Sequence, residues 1–544
     1  MTLESTLSST KSQVTPRPVT QERVHTPTAL VRSSFPRATG KGLLVAAHAQ
    51  VLRWELALLR QEQEQKAALL SIVRHAKDTE FGRAHDFANI RSHADYVARV
   101  KVGDYDTFSP FIDRMRKGEK NLLVPEFVRY YGNSSGSSNA GRQKFLPITD
   151  RQIALQRKGG TDGLMRALVH TQDDAFTTGF TLGLFPPTTM RKEGPVFITS
   201  NPALMVNKLP MVSRPIYLPD DPIRRMVDYD EKLGAIASKY FEHDIRAVAG
   251  TTCWFTLLFE KVLAEARRRG SRAKTIREVW PNLRYLLGGG VAADPYLPVL
   301  RELVGREDVL LVDSYNATEG GIYAASDQSG RPGMLVSPHR GTFFEFVEFG
   351  EHDKPGARRV PLWDVELGKS YVIVVTTVSG LYAYTLGDIV RFPERNRMEF
   401  VGRLSGCLSV TQELTTYVEV EKAMAFATSK VPCVVVDFGV SAEIGTKSHY
   451  VVVAEFAPGK SPSDMQALAA AFDEGLSIEN RVYREHRLRD AAIGKPVVWP
   501  LQRGGAKKYL EKVTRGNVQG KFPRIVDPAR LESLTPYRLQ THIS

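Results

Sequence analysis

Short strand-like runs alternate with helix-period runs along nearly the whole of this 544-residue chain. That alternation excludes all-helical and all-strand packings and calls for sheets covered by helices, an α/β or α+β class. Leu52, Leu56 and Leu59 share one helical face, as do Leu69, Ile72 and Val73. One long helix, or two, therefore runs from about Leu43 to His75, with the polar stretch Gln61–Lys66 between the apolar sets. A further amphipathic helix spans Thr256–Arg269 and stops at Gly270. Val309–Val312, Phe343–Phe349, Tyr371–Thr377, Val434–Val436 and His449–Phe456 read as strands.

Residues 1–40 are rich in Ser, Thr and Pro without apolar clustering, too little to offset the entropy of ordering, and read as a disordered tail. A second boundary falls near Phe392–Arg403, where Pro393 adjoins the polar Glu394–Arg397. The expected organisation is a large α/β domain over 41–395 and a small, mobile α+β domain over 396–544. Lys and Arg number 73 against 60 Asp and Glu, a net +13, and residues 501–544 alone hold nine basic against three acidic side chains. Such a surface attracts anions. No interleaved basic and aromatic platform is present, so nucleic acid is not the expected partner. The uncharged run 175–190 carries two prolines and is shorter than the roughly 20 residues a membrane span needs. Three separated cysteines and the lack of an apolar signal core point to a reducing, cytoplasmic setting without a membrane partner.

Five segments could carry chemistry. The run Tyr130–Lys144 contains Ser134, Ser135, Gly136 and Ser137 and ends on Lys144. Small residues let backbone N–H groups approach phosphate oxygens, although a Ser/Gly run by itself reads more simply as a flexible linker. It is not a P-loop, because Arg142-Gln143 follows Gly141. Asp313–Gly321 directly follows an apolar strand, and the Glu319 carboxylate within it is the hard oxygen donor that Mg²⁺ prefers. Asp388 closes Gly380–Asp388, where a carboxylate can accept two ribose hydroxyls, although Gly-Asp alone is a common turn. Gly402-Arg403 and Gln519–Arg524 complete the set; Leu286–Gly290 is a tight-turn candidate.

Together, and in this order, the five resemble the adenylate-forming enzymes. The finer resemblance is to the Gretchen Hagen family of acyl acid–amido synthetases, the auxin- and jasmonate-conjugating type known from plants and some bacteria. It rests on Ser134–Ser138 with Gly141 and Lys144, on Phe81–Phe87, Trp280–Leu283 and Phe344–Phe346, and on Gln519, Lys521, Pro523 and Arg524. The resemblance implies a carboxylic acid activated by ATP with Mg²⁺ and passed to an amine, usually an amino acid. It assigns Ser134, Ser135, Gly136, Ser137 and Lys144 to the phosphates and Thr318 to the α-phosphate. Glu319 would bind the metal, and Asp388 the ribose. Gly289 would lie by the adenine, Tyr315 and Arg403 would also line the nucleotide site, and Lys521 would be catalytic. Ala383 and Thr385 replace two arginines of the family pattern, Leu414 replaces a lysine, and Gly406 replaces the superfamily's aspartate. A CoA ligase, with a thiol as acceptor, a catalytically degenerate homologue and, from the net charge of +13, a basic nucleic-acid-binding protein are the alternatives left open.

Overall fold

The computed structural model describes residues 30–134, 144–290, 297–352, 354, 356–408, 415–443, 448–480, 483, 484, 487, 493–513 and 522–539. A five-stranded parallel sheet organises the first half. Its order is Tyr217–Leu218, Phe180–Leu184, Ile245–Gly250, Tyr285–Leu287, Leu310–Val312. The three central strands are apolar on both faces because helices cover both. Leu182, Leu184, Val248 and Leu286 pack with the helix Cys253–Arg268 and its neighbour Tyr229–Lys239. Ala247, Tyr285 and Val312 face the helices Asp150–Thr171 and Arg37–Leu59. The Cys253–Arg268 helix ends as its sequence signals, with Gly270 at φ +76°.

An eight-stranded antiparallel sheet follows, in the order Ser314–Ala317, Gly321–Ala325, Met334–Val336, Arg397–Arg403, Tyr384–Glu394, Ser370–Thr376, Phe343–Glu348, Arg359–Pro361. Two helices, Arg37–Leu59 and Gln61–Ala76, fill the span expected from Leu43 to His75. Their docking is partly polar. Gln65, in the stretch read as a polar divider, is fully buried. Its amide donates to the carbonyls of Pro338 and Thr342, each at 2.9 Å, and accepts from the Phe344 N–H at 2.8 Å. Trp54 Nε1 donates to the Val336 carbonyl at 2.8 Å. By length and mean hydropathy the Arg37–Leu59 helix could cross a membrane; its Ala47, Val51, Trp54 and Ala57 are buried, whereas Val45 and the Leu52, Leu56 and Leu59 of the face read from the sequence are exposed.

Two boundaries differ from the sequence reading. Residues 30–40 join the fold: Val31 pairs with His243, and Arg37, at the first position of the first helix, bonds Asp174 at 2.8 and 2.6 Å. The strand Arg397–Arg403 stays in the antiparallel sheet, so the large domain runs past residue 395 to Arg403. The reason is its ladder with Tyr384–Glu394, which outweighs the polar sequence between them. Beyond it, a three-stranded sheet of Val435–Glu443, His449–Phe456 and Gly494–Pro500 carries the helices Tyr417–Lys430 and Met465–Glu479 on one face. Gly505–Val513 and the turns at Pro528–Tyr537 cover the other. The class is the expected mixed α/β fold with a smaller C-terminal unit.

Glu345 of the Phe344–Phe346 segment is fully buried, bonded to Arg359 at 2.8 and 2.9 Å and to His93 at 2.8 Å. Removing one partner leaves a charge without compensation in a dry site. Arg359→Met is expected to lower stability by about 3 kcal/mol or more, read from the shift in urea unfolding midpoint.

Candidate active site

The carboxyl ends of the parallel strands and the edge of the antiparallel sheet meet at one place. After Leu310–Val312 the chain leaves the parallel sheet and enters a hairpin, Ser314–Ala317 with Gly321–Ala325. Thr318 and Glu319 therefore sit in a hairpin turn, one step further on than a strand end would place them. Gln152 Nε2 holds the turn through the Thr318 carbonyl at 3.0 Å. The strand Tyr130–Ser134, which leads into the Ser/Gly run, presses against it. A Cβ on Gly132 would lie 2.4 Å from Thr318 Cγ2, so this approach requires glycine. Gly289 follows Tyr285–Leu287 and packs on the same hairpin, where a Cβ would lie about 3.0 Å from Asn316 Nδ2 and 3.1 Å from Ser314 Oγ.

Asp388 is the centre of the electrostatics. It is 2% exposed. Tyr315 donates to its Oδ2 at 2.7 Å, and Arg403 Nε lies 2.7 Å from its Oδ1. Asp388 and Arg403 are direct partners in the ladder between their strands. Tyr315 lies four strand positions from Asp388 in the sheet order, about 19 Å if the sheet were flat. The 2.7 Å bond means that the sheet curls until its edge strand closes over the Asp388 strand. Burial pushes the Asp388 carboxyl above its ordinary range, and the Arg403 charge and the Tyr315 hydroxyl pull it back. Arg403 is raised in turn, chiefly by Asp388. Burial also raises the partly buried Glu319, and the Asp388 charge adds to it, while Arg403 and Lys144 oppose. Four of the expected residues, Lys144, Glu319, Asp388 and Arg403, therefore share one field, with Thr318 and Tyr315 beside them.

The expected phosphate residues Ser135, Gly136 and Ser137, the side chain of Ser134, and Lys521 lie outside the described residues. Lys144 opens the strand Lys144–Ile148, its Nζ 5.7 Å from the Tyr105 ring centroid. Near the C-terminal segment, Arg524 bonds Glu421 at 3.1 Å, Asp437 at 2.6 Å and the Phe438 carbonyl at 2.7 Å. It fastens the stretch after residue 521 to the small domain. Two departures from the family pattern fall on described residues. Ala383 is fully buried and donates its N–H to Thr376 Oγ1 at 2.9 Å, and Thr385 Oγ1 accepts from the Gly387 N–H at 3.3 Å. Leu414 lies outside the described residues.

The sequence reading missed Tyr417, whose hydroxyl feels Arg403, Asp388 and Asp313 and is raised mainly by burial. Its ring stands 5.8 Å from Phe400, which in turn lies 5.6 Å from Tyr315. A signal was available: Thr416 and Glu419 form a capping box that places Tyr417 at the first position of its helix.

Residues 53–185 match the GH3 family N-terminal domain, 335–403 its central domain and 418–530 its C-terminal domain. The chain belongs to the GH3 family. The indole-3-acetic acid-amido synthetase GH3.4 of Arabidopsis thaliana is 29% identical over 87% of this chain and 89% of that protein. The jasmonoyl–L-amino acid synthetase JAR4 of Nicotiana attenuata is 32% identical over 48% of this chain and 47% of its own. The solved acyl acid amido synthetase AtGH3.15, in complex with 2,4-DB, superposes with a TM-score of 0.71 at 18% identity, covering 93% of this chain and 98% of that one. At that identity the superposition shows a shared GH3 fold. The junction between the central and C-terminal matches, 403 to 418, coincides with the end of the strand that carries Arg403.

Arg403 and Tyr315 both favour the ionised form of Asp388. Arg403→Gln is therefore expected to raise the pH at which Asp388 protonates, and Tyr315→Phe to raise it less, as followed by carboxyl-carbon NMR titration. A downward move on losing Arg403 would mean that the pair does not hold the charge.

Proposed function

We propose that this GH3 protein makes amides from a carboxylic acid and an amine, an amino acid in the simplest case, at the expense of ATP cleaved to AMP and pyrophosphate. The observation that carries the reading is the convergence of Lys144, Glu319, Asp388 and Arg403 at the mouth of the Thr318 hairpin. A triphosphate needs cations and hydroxyls at one end and a ribose acceptor at the other, parts to which Lys144, Thr318 and Asp388 are suited. The names of the curated relatives support an amine rather than a thiol as acceptor.

In the first step a carboxylate oxygen of the acid bonds to the α-phosphorus of ATP as the bond to pyrophosphate breaks. In the second the amine nitrogen bonds to the acyl carbon, AMP leaves, and the amine gives up a proton. Such transfers depend on positioning and on charge placed where charge develops. Ser135, Gly136, Ser137 and Lys144 take the triphosphate, with Ser134 at the start of the run. Thr318 contacts the α-phosphate. Asp388, whose ionised form Arg403 and Tyr315 favour against the cost of burial, accepts the ribose hydroxyls, and Gly289 leaves room for the adenine. In this division Arg403 and Tyr315 act on the nucleotide through Asp388. Lys521, on the small domain, neutralises charge at the α-phosphate, which makes that domain the mobile one.

A Mg²⁺ ion fits the donor set. Glu319 is a carboxylate raised by burial and not committed to a strong ion pair among the described residues, and Mg²⁺ commonly takes one or two carboxylates together with substrate phosphates. The ion would neutralise phosphate charge. Three separated cysteines support a reducing cytoplasmic location.

ATP–pyrophosphate exchange across a library of carboxylic acids tests the reading; no exchange with any acid would defeat it. In the same assay Lys521→Ala should cut turnover about a hundredfold or more with little change in ATP affinity. Lys507→Ala should cost little, since an exposed charge contributes weakly. Equal, small losses would make the basic tail a general electrostatic patch. Asp388→Ala should chiefly raise the ATP concentration required, and Glu319→Ala should weaken the dependence on Mg²⁺.

A further inference from the structure

The Arg37–Leu59 helix is apolar on two sides. Ala47, Val51, Trp54 and Ala57 turn inward to the fold. A surface helix ordinarily sets charged and polar residues on the opposite side, and this one does not. Val45 is 72% exposed, Leu52 56%, Leu56 39% and Leu59 83%, with Ala49 exposed between them. At 1.5 Å per residue the strip from Val45 to Leu59 is about 21 Å long. Single surface leucines need no account, but a contiguous apolar row marks an interaction surface.

The spacing of the row says what fits it. Its steps are four, three, four and three residues, which is the seam of a coiled coil: Val45, Leu52 and Leu59 at d, Ala49 and Leu56 at a. Such a seam matches a second helix carrying the same seam. A membrane surface calls for an apolar side and charge, not for this register.

The charges beside the seam give the direction of the match. Arg53 and Arg60 stand at e, and Glu55 at g. Two parallel helices set each g residue against the e residue five places further along its partner, so Glu55 faces Arg60 of the partner subunit, twice by symmetry. Both side chains can answer. Arg60 is exposed at the end of the helix and has no ion pair among the described residues. Glu55 is half-exposed; its Oε1 lies 3.2 Å from Arg166, and its Oε2 has no partner among the described residues. The other parallel pair sets His48 against Arg53 of the partner subunit, and the Arg53 charge is already met by Glu64 at 2.8 and 3.0 Å. Antiparallel helices would instead bring Arg53 beside Arg53 and Glu55 beside Glu55, like against like.

We propose that this protein pairs with a second copy of itself through the outward face of this helix, the two helices parallel and the two-fold axis running along the Val45–Leu59 seam. The pairing is independent of the chemistry at the Thr318 hairpin.

Sedimentation equilibrium on the full chain tests it. A reversible dimer is expected, dissociating in the micromolar range, since four helical turns supply less than the roughly 800 Å² per partner of a standard interface. Leu52→Glu with Leu59→Glu, both at exposed positions, should keep the fold by circular dichroism and weaken the dimer about tenfold or more. Arg60→Glu, which sets two carboxylates face to face, should weaken it too. Val45→Cys reads the direction: on mild oxidation it should give a disulfide-linked dimer that the wild-type chain does not, because only parallel helices bring the two copies of residue 45 together. A chain that stays monomeric into the submillimolar range overturns the proposal. So does a dimer indifferent to the double glutamate variant, or a Val45→Cys dimer that does not cross-link. A monomer that binds vesicles of anionic lipid through Leu52 and Leu59 would give the face to a membrane and overturn it equally.

Discussion

A carboxylate closed off from water is tolerable only with a cation and a donor built around it, and Asp388 sets that requirement for the centre of this protein. Arg403 meets it from the neighbouring strand, and Tyr315 meets it from the far edge of the sheet. The second contact obliges an eight-stranded sheet to curl, and the curl carries the Thr318–Glu319 turn over the Asp388 strand. The same turn continues directly from the last strand of the parallel sheet. The Tyr315–Asp388 bond thus brings the end of one sheet to the middle of another.

The pair also marks where the two parts of the molecule separate. Arg403 is the last residue of its strand, and the chain then crosses to the C-terminal unit, whose helix begins at Tyr417. Tyr417 stands in the field of Arg403 and Asp388. A rotation of the small unit would begin one residue beyond the pair and would draw Tyr417 past it. The contacts that hold the C-terminal segment to the small unit, centred on Arg524, are internal to that unit. Such a rotation would leave them intact.

Much of this was legible in the sequence. The His449–Phe456 strand stands as its pattern reads, and Gly270 ends its helix as expected. Lys144, Thr318, Glu319, Asp388 and Arg403 were nameable because small, acidic and basic residues stood in a particular order, and the fold brings them together. What could not be read depends on contacts remote in sequence. Gln65 looks like a surface residue until its partners at Pro338, Thr342 and Phe344 are known. The domain boundary reads as polar at Glu394–Arg397, yet a ladder carries that segment through to Arg403. Tyr315 reads as a nucleotide contact, and no local pattern shows that its hydroxyl also donates to Asp388. The burial of Lys232 gave no local signal, because a lysine in an amphipathic helix normally faces water.

The contact between Gly132 and Thr318 has an evolutionary consequence. There is no room for a methyl group between them, since a Cβ at 132 would stand 2.4 Å from the threonine Cγ2. Neither position can drift alone toward bulk. Alanine at 132 is easier to admit once 318 has shed its methyl, as serine would, keeping the hydroxyl, with Ile148 Cδ1 at 3.1 Å the next atom to give way. Single-step lineages through these two sites should therefore favour one order, 318 first and 132 second. The two positions, more than 180 residues apart, should behave as one unit of inheritance, and a screen of double variants would find viable pairs that neither single screen contains.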